Sequence, residues 1–367
     1  GAWLDWVYRA LVLLVIACPC ALVISTPVTI VSGLSAAARL GILIKGGVFL
    51  ELGRSLAWIA LDKTGTLTEG RPRQTDYSPL RELPDANVRA LAASLAARSD
   101  HPVSQAVARA AETDNIALYN VGELTALPGR GVKGEIDGRL YHLGNHRLVE
   151  ELELCSTELE ARLDALEQQG KTVIVLLDDN GPLALFAVAD AVKETSREAV
   201  AQLHELGVKT LMLTGDNPHT AAAIGAQVGI DAAQGNLLPE DKLNEVKQRQ
   251  EGGYRVGMVG DGINDAPALA RADIGFAMGA AGTDTAIETA GVALMDDDLR
   301  KLPSFIRLSR RTHRVLIQNI SLALGIKAVF LALTLAGEGT LWMAVFADMG
   351  ASLLVVFNGL RLLRYQG

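Results

Sequence analysis

A carboxylate that accepts a phosphoryl group must stand free at the end of a strand, with a second carboxylate to share a cation and a lysine to meet the phosphate. The stretch Asp62-Lys63-Thr64-Gly65-Thr66-Leu67-Thr68 offers the first of these. It follows an apolar run over 56–61 that predicts a buried strand, and open α/β sheets place their chemistry at strand carboxyl ends. Asp62 is therefore the candidate nucleophile, its product an aspartyl-phosphate. A second predicted strand, 256–259, leads into Gly260-Asp261-Gly262-Ile263-Asn264-Asp265. Asp62 and Asp261 can then share one Mg²⁺, an ion that prefers oxygen ligands, with the Thr64 carbonyl completing the protein share. A third strand, 208–213, precedes Thr214-Gly215-Asp216-Asn217, where the Thr214 hydroxyl and Gly215 amide can hold phosphate oxygens. Lys242 can neutralise the phosphate, and Asn264 and Asp265 can orient the metal loop. Singly, capping accounts for Thr214 and surface charge for Lys242; their order after Asp62 argues for one site.

The elements that must position these residues alternate from about residue 190. Helices are expected at 195–206, from Pro218 to Gly229, and from Pro239 to Gly252-Gly253, with strand 208–213 after the first and strand 256–259 after the third. That pattern predicts a doubly wound parallel sheet. Residues 74–187 have a different texture and form an expected insertion. It holds a helix opening at His101-Pro102, a hairpin around Asp137-Gly138, a long acidic helix over 150–168 and a strand over 172–177. Gly129-Arg130-Gly131-Val132-Lys133-Gly134 fits GxGxxG, but a hairpin rather than a helix follows, which excludes the dinucleotide fingerprint. The loop reads as a plain turn or as backbone bare enough for adenine to approach. His101-Pro102 alone reads as an N-cap with proline at the first helical position.

Hydrophobic residues make up 49% of the 367, and mean hydropathy is +0.24. The excess lies at the ends, in 7–32 and in two runs within 315–360 parted by Gly337-Glu338-Gly339-Thr340. Each can span a hydrocarbon core of about 30 Å. Arg39, Lys45 and Arg54 follow the first run; Arg307, Arg310, Arg311 and Arg314 precede the second; Arg361 and Arg364 follow the third. The positive-inside rule then predicts that the middle and the C-terminus are cytoplasmic. The net charge of −8 argues against nucleic-acid binding. Three cysteines form no disulfide framework and fit a reducing compartment; Cys155 reads as a small half-buried side chain.

Cys18-Pro19-Cys20 lies inside the first run. Pro19 breaks the helix and frees carbonyls, and two thiols beside it make a soft pair for Zn²⁺, Cd²⁺, Pb²⁺ or Cu⁺. Lys327 and Asp348 are ionisable groups in the second and third runs. Two thiolates and one carboxylate balance a divalent ion and one lysine, whereas a monovalent ion would not need Asp348.

Together these residues resemble a P-type ATPase over nearly the whole chain, the heptapeptide matching its phosphorylation signature. The His-Pro pair and the double-glycine loop further resemble the heavy-metal-transporting (type IB) branch. The resemblance implies a haloacid-dehalogenase-like doubly wound phosphorylation domain, an inserted α+β nucleotide-binding domain and three transmembrane helices. Asp62, Thr64, Thr214, Gly215, Asp216, Lys242, Asn264 and Asp265 would be catalytic, with Asp62, Thr64 and Asp261 on Mg²⁺. ATP would be held by His101, Gly129, Gly131 and Asn145. The branch often has Glu five residues before the His, where this chain has Ala96. Soluble phosphatases of similar design have a second Asp at position 64; Thr64 implies a longer-lived intermediate. Lys327 with Asp348-Met349-Gly350 is similar to zinc, cadmium and lead exporters, whereas copper pumps carry Tyr-Asn and Met/Ser signatures and cobalt-type pumps Ser-Pro-Cys.

The expected division is 1–50 (transmembrane helix and extension), 51–73 and 188–310 (phosphorylation domain), 74–187 (nucleotide domain) and 311–367 (two transmembrane helices and tail). The expected location is a bacterial inner membrane. No Thr-Gly-Glu motif is found, so a longer parent with an actuator domain and earlier membrane helices is expected. Two rivals are a membrane-anchored metal sensor with a vestigial phosphatase-like domain, and a tethered phosphatase, which Thr64 disfavours.

Overall fold

The computed structural model describes residues 2–261, 263–279 and 284–365. The chain forms two compact units. One comprises 57–290 and 297–300, the other 1–56, 291–296 and 301–367.

In the first unit, strand Leu56–Asp62 is central. Arg255–Gly260 lies on one side of it and Lys209–Leu213 on the other, with Ile274–Met278 and Ala232–Gln234 next outward. Leu56–Asp62 pairs in parallel with Lys209–Leu213, and the outer strands also run parallel to their neighbours. Ile59, Ala60, Leu61, Leu211, Leu213, Met258 and Val259 are fully buried. Such continuous apolar runs are what a parallel sheet covered on both faces requires. Helices Glu194–Glu205, Pro218–Val228, Pro239–Glu251 and Ala266–Arg271 link the strands. Proline opens two of them, and Gly229 (φ +85°) closes Pro218–Val228 in a left-handed conformation.

The insertion carries its own six-stranded antiparallel sheet, in the order Arg73–Pro79, Gly181–Ala189, Thr172–Asp178, Arg139–Gly144, Gly131–Ile136, Leu124–Leu127. Its central strand buries both faces. Ile174 and Leu176 join the core under helices Asp85–Ala96 and Pro102–Thr113. Val173, Val175 and Leu177 join a second core with Val149, Leu159 and Leu163. The period-two alternation thus separates two cores rather than core from solvent. The acidic helix expected over 150–168 is instead two helices, His146–Glu151 and Thr157–Glu167. Glu153 takes a left-handed φ of +56°, and the Ser156 hydroxyl accepts from the Leu159 amide at 3.2 Å. A cap in mid-run outweighs uniform acidic composition.

Among the described residues, the second unit holds three segments long and apolar enough to cross a membrane, Trp6–Arg39, Lys301–Leu335 and Leu341–Arg364. The first is two helices, Ala2–Ala17 and Cys20–Arg39, parted at Cys18-Pro19. Small residues let the helices approach: Ala21, Ala323, Ala351 and Val355 form a buried cluster. Fully buried Asn319 donates to Thr29 Oγ1 and to the Val355 carbonyl, both at 3.2 Å, and accepts from Asn358 Nδ2 at 2.8 Å. Residues 291–296 and 301–310 belong to this unit, whereas the sequence reading ended the phosphorylation domain at 310. Two features account for this: Val292–Leu294 pairs antiparallel with Ile42–Ile44, and the helix Lys301–Leu335 starts well before its apolar part.

Candidate functional site

Asp62, Asp261 and Thr214 follow three adjacent strands, the central one carrying Asp62. Carboxylate oxygens of Asp62, Asp261 and Asp265 lie within 4.8 Å of one another. Lys242, from the first turns of Pro239–Glu251, inserts its ammonium among them. It bonds Asp62 Oδ1 and, at 2.8 Å, Asp265 Oδ1. Burial opposes the charge on Lys242, but Asp62 and Asp265 outweigh it and hold its pKa above the ordinary lysine value. The carboxylates move the other way. Burial and Asp265 push Asp62 up to about 6, against Lys242 and Lys63. Burial, Asp62 and Asp265 push Asp261 up to about 7. Negative charge here exceeds what one lysine can answer, and oxygen donors at this spacing suit Mg²⁺.

The backbone after Asp62 is shaped for that convergence. Thr64 is extended (φ −76°, ψ 129°) and Gly65 left-handed (φ +73°). A Cβ at Gly65 would stand 1.8 Å from Asp261 Oδ2, so only glycine lets the loop pass the second carboxylate. Asp190 binds the end of the loop, accepting from Thr68 Oγ1 at 2.5 Å and from the Gly70 and Arg71 amides at 3.2 Å. Lys193 donates to the Gly65 carbonyl at 2.7 Å. Sequence reasoning passed over Asp190 and Lys193, although both open the return from the insertion and had to meet the loop where the insertion leaves it. It also passed over Lys63, whose ammonium pairs with Asp216. Burial opposes that pair at both ends. The mutual attraction wins, raising the Lys63 pKa and lowering that of Asp216.

Asp216 also accepts from Thr172 at 3.0 Å and from Thr214 at 3.2 Å. Buried Thr214 thus spends its hydroxyl on Asp216 and receives the Asp216 amide at 3.1 Å, a local turn bond. Gly215 is exposed at the strand end, and Asn264 is exposed on the turn Ile263–Asp265; Gly262 lies outside the described residues. Among the described residues, neither the Thr214 hydroxyl nor the Gly215 amide hydrogen-bonds the Asp62 carboxylate.

In the insertion, His101 caps Pro102–Thr113, its Nδ1 accepting from the Val103 amide at 3.4 Å. Burial lowers its pKa, Asp216 opposing and Lys63 adding, which sets the imidazole near the Lys63–Asp216 pair. Gly129 and Gly131 have φ of +70° and +146°, and a Cβ at Gly131 would stand 2.2 Å from the Leu143 carbonyl. Asn145 fastens this loop: its Nδ2 donates to the Gly129 carbonyl at 2.9 Å and its amide to the Arg130 carbonyl at 2.8 Å. Ala96 is fully buried among Leu95, Val103 and Val121. A glutamate there would enter the core, so Ala96 packs where a charged side chain would not fit without rearrangement.

In the membrane unit, Cys18 and Cys20 are joined as a disulfide, Cα atoms 5.6 Å apart, where the sequence leads to two free thiols. Neighbouring sulfurs at a helix break meet whether they close on each other or on an ion, and reduction is needed before they can act as ligands. Lys327 reaches into the break. It donates to the carbonyls of Ile16, at 2.9 Å, and Cys18, both left without amide partners by the break, and pairs with Asp348 at 3.3 Å.

A family profile described as haloacid dehalogenase-like hydrolase matches residues 56–273. A probable cadmium-transporting ATPase of Staphylococcus aureus (strain MRSA252) is 49% identical over all of this chain and 51% of its own. A zinc/cadmium/lead-transporting P-type ATPase of Escherichia coli (strain K12) is 44% identical over 99% of this chain and 49% of its own. The chain is thus homologous throughout to metal-transporting P-type ATPases and spans about half the length of these curated relatives. A crystal structure of a zinc-transporting PIB-type ATPase in the E2.Pi state superposes with a TM-score of 0.75 at 42% identity, covering 99% of this chain and 59% of that one.

Proposed function

The chain belongs to the haloacid dehalogenase-like hydrolases, and we propose that it is the phosphoryl-transfer and metal-binding part of an ATP-driven exporter of Zn²⁺, Cd²⁺ and Pb²⁺. One observation carries the reading: a lysine inside a membrane helix holds both the carbonyl of Cys18 and the carboxylate of Asp348, at the break between two cysteines. A structural helix kink needs no buried charge pair and no sulfur pair beside it.

Asp62 attacks the γ-phosphorus of ATP; the bond from that phosphorus to the β-bridging oxygen breaks, and ADP leaves. Lys242, already bonded to Asp62, meets the charge on the transferred phosphoryl oxygens. Mg²⁺ held by Asp62, Asp261 and the Thr64 carbonyl would neutralise further phosphate charge. Gly129, Gly131, Asn145 and His101 present ATP from the insertion. Water then returns the phospho-aspartate to carboxylate and inorganic phosphate, and Thr64, having no acid, leaves that step slow. The cargo site is Cys18, Cys20 and Asp348, with Lys327 as counter-charge. The globular unit and the C-terminus face the cytoplasm of a bacterial inner membrane, with the remaining membrane helices and an actuator domain supplied by a longer parent.

The test is metal-stimulated phosphoenzyme formation and hydrolysis in the reduced, membrane-reconstituted full-length protein across Zn²⁺, Cd²⁺, Pb²⁺, Cu⁺ and Co²⁺. Stimulation by the first three supports the reading. Stimulation by Cu⁺ alone, or none, overturns it.

A further inference from the structure

His146, Asp164 and Glu167 lie away from the phosphoryl-transfer carboxylates, on the far core of the insertion. His146 opens the short helix after Asn145; Asp164 and Glu167 sit three apart, on one face of Thr157–Glu167. One ligand atom from each lies within 4.8 Å of the others. Glu167 is 2% exposed and His146 9%. His146 Nδ1 and Glu167 Oε2 face each other at 3.6 Å, and neither makes a hydrogen bond. On the other edge of the ring, Nε2 lies 3.7 Å from Cys155 Sγ, with Glu150 at 4.0 Å. With the ring proton on Nε2, directed at those acceptors, the Nδ1 lone pair points at a buried carboxylate oxygen. Two lone pairs in a dry site repel unless a cation, a proton or a metal ion, lies between them.

We propose that His146 Nδ1, Asp164 and Glu167 form a second cation site, in the insertion, for a divalent transition-metal ion such as Zn²⁺. One imidazole and two carboxylates are a donor set Zn²⁺ accepts, and its bond lengths place ligand atoms roughly 3.3 Å apart, so the observed 3.6 Å needs only a small contraction. Cys155 and Glu150, on the second nitrogen, can accept a proton from Nε2, the role that partners of ligating histidines play. The ion joins the start of His146–Glu151 to Thr157–Glu167. Asn145, which caps the former helix, also fastens the Gly129 carbonyl. Occupancy therefore stiffens the glycine loop and tightens nucleotide binding, a consequence that rests on the loop's proposed role in holding ATP.

The experiment uses the reduced chain in detergent with the membrane site removed (Cys18→Ser, Cys20→Ser, Asp348→Ala). Equilibrium dialysis against Zn²⁺ in millimolar Mg²⁺, with Asp261→Asn added to disable the strand-end carboxylates, should find about one equivalent bound, and Co²⁺ should give a visible absorption band typical of a low-coordinate site. Glu167→Gln, which keeps the side chain's shape, should weaken Zn²⁺ at least roughly tenfold. Should Glu167→Gln fail to fold, Asp164→Asn at the rim of the site serves in its place. No bound Zn²⁺ in the background chain, or binding untouched by the folded variant, overturns the site. Zn²⁺ should also lower the Kd of a non-hydrolysable ATP analogue at least threefold, and Glu167→Gln should abolish that shift. Zn²⁺ binding with an unchanged analogue Kd keeps the site and overturns its coupling to the loop. An analogue that fails to bind at any Zn²⁺ concentration overturns the nucleotide reading of the loop and leaves the dialysis result standing.

Discussion

Two sites in this molecule set a lysine against carboxylate, with opposite charge arithmetic. At the strand ends, Lys242 faces three carboxylates, Asp62, Asp261 and Asp265. Burial, with the surplus of negative charge adding to it, pushes Asp62 up to about 6 and Asp261 up to about 7. At the helix break, Lys327 faces Asp348 alone, and the pair is neutral. Negative charge appears there only when Cys18 and Cys20 are reduced and lose their protons to an incoming ion. A site with permanent excess charge keeps a cation at hand. A site whose charge arrives with its ion can be emptied.

Perturbations at both sites break or sharpen this contrast. Asp62→Asn should abolish the acid-stable, hydroxylamine-labile phosphoenzyme formed from labelled ATP, because an amide does not replace the carboxylate nucleophile; a labelled variant removes Asp62 from its role. Asp348→Ala strips the neutral pair of its acid and leaves Lys327 beside the metal, and losing one partner of a buried pair costs about 3–5 kcal/mol. Zn²⁺ affinity measured by dialysis should fall accordingly, whereas Lys327→Ala should keep the ion but lose coupling between metal release and turnover. Equal Zn²⁺ affinity in Asp348→Ala and the parent would falsify the balance argument. Gly65→Ala puts a Cβ into the Asp261 carboxylate at a left-handed φ, a strain of about 1–3 kcal/mol. Phosphorylation should drop sharply with little change at the membrane site. Finally, Mg²⁺ at millimolar levels should raise the melting temperature of the globular unit by a few degrees through mass action. Asp261→Asn should remove that rise, and Zn²⁺ binding to the reduced membrane site should show no such dependence. A Mg²⁺ effect that survives Asp261→Asn places the ion elsewhere.

Legibility differed between the regions for physical reasons. The doubly wound sheet was readable because each strand is an apolar run ending in a polar loop, and a parallel strand buried on both faces has no other signature. The Pro19 break was readable because proline removes an amide wherever it stands. The acidic run over 150–168 misled, since one Ser156 hydroxyl and one left-handed Glu153 decide the break while composition is blind to both. The Lys63–Asp216 pair was invisible because its members are adjacent only through the sheet. Ala96 shows the hazard of reading a missing family residue as a missing contact: Ala96→Glu should lower stability by about 1–3 kcal/mol, by thermal melting, rather than improve nucleotide binding.

The buried chain from Asn358 through Asn319 to Thr29 and the Val355 carbonyl crosses all three membrane segments at one level. Sliding any of these helices by one turn, about 5.4 Å, would strand every one of those polar groups in an apolar bundle. The three segments are therefore locked in register, and a one-turn slip of any of them against the others carries the cost of several buried polar groups left without partners.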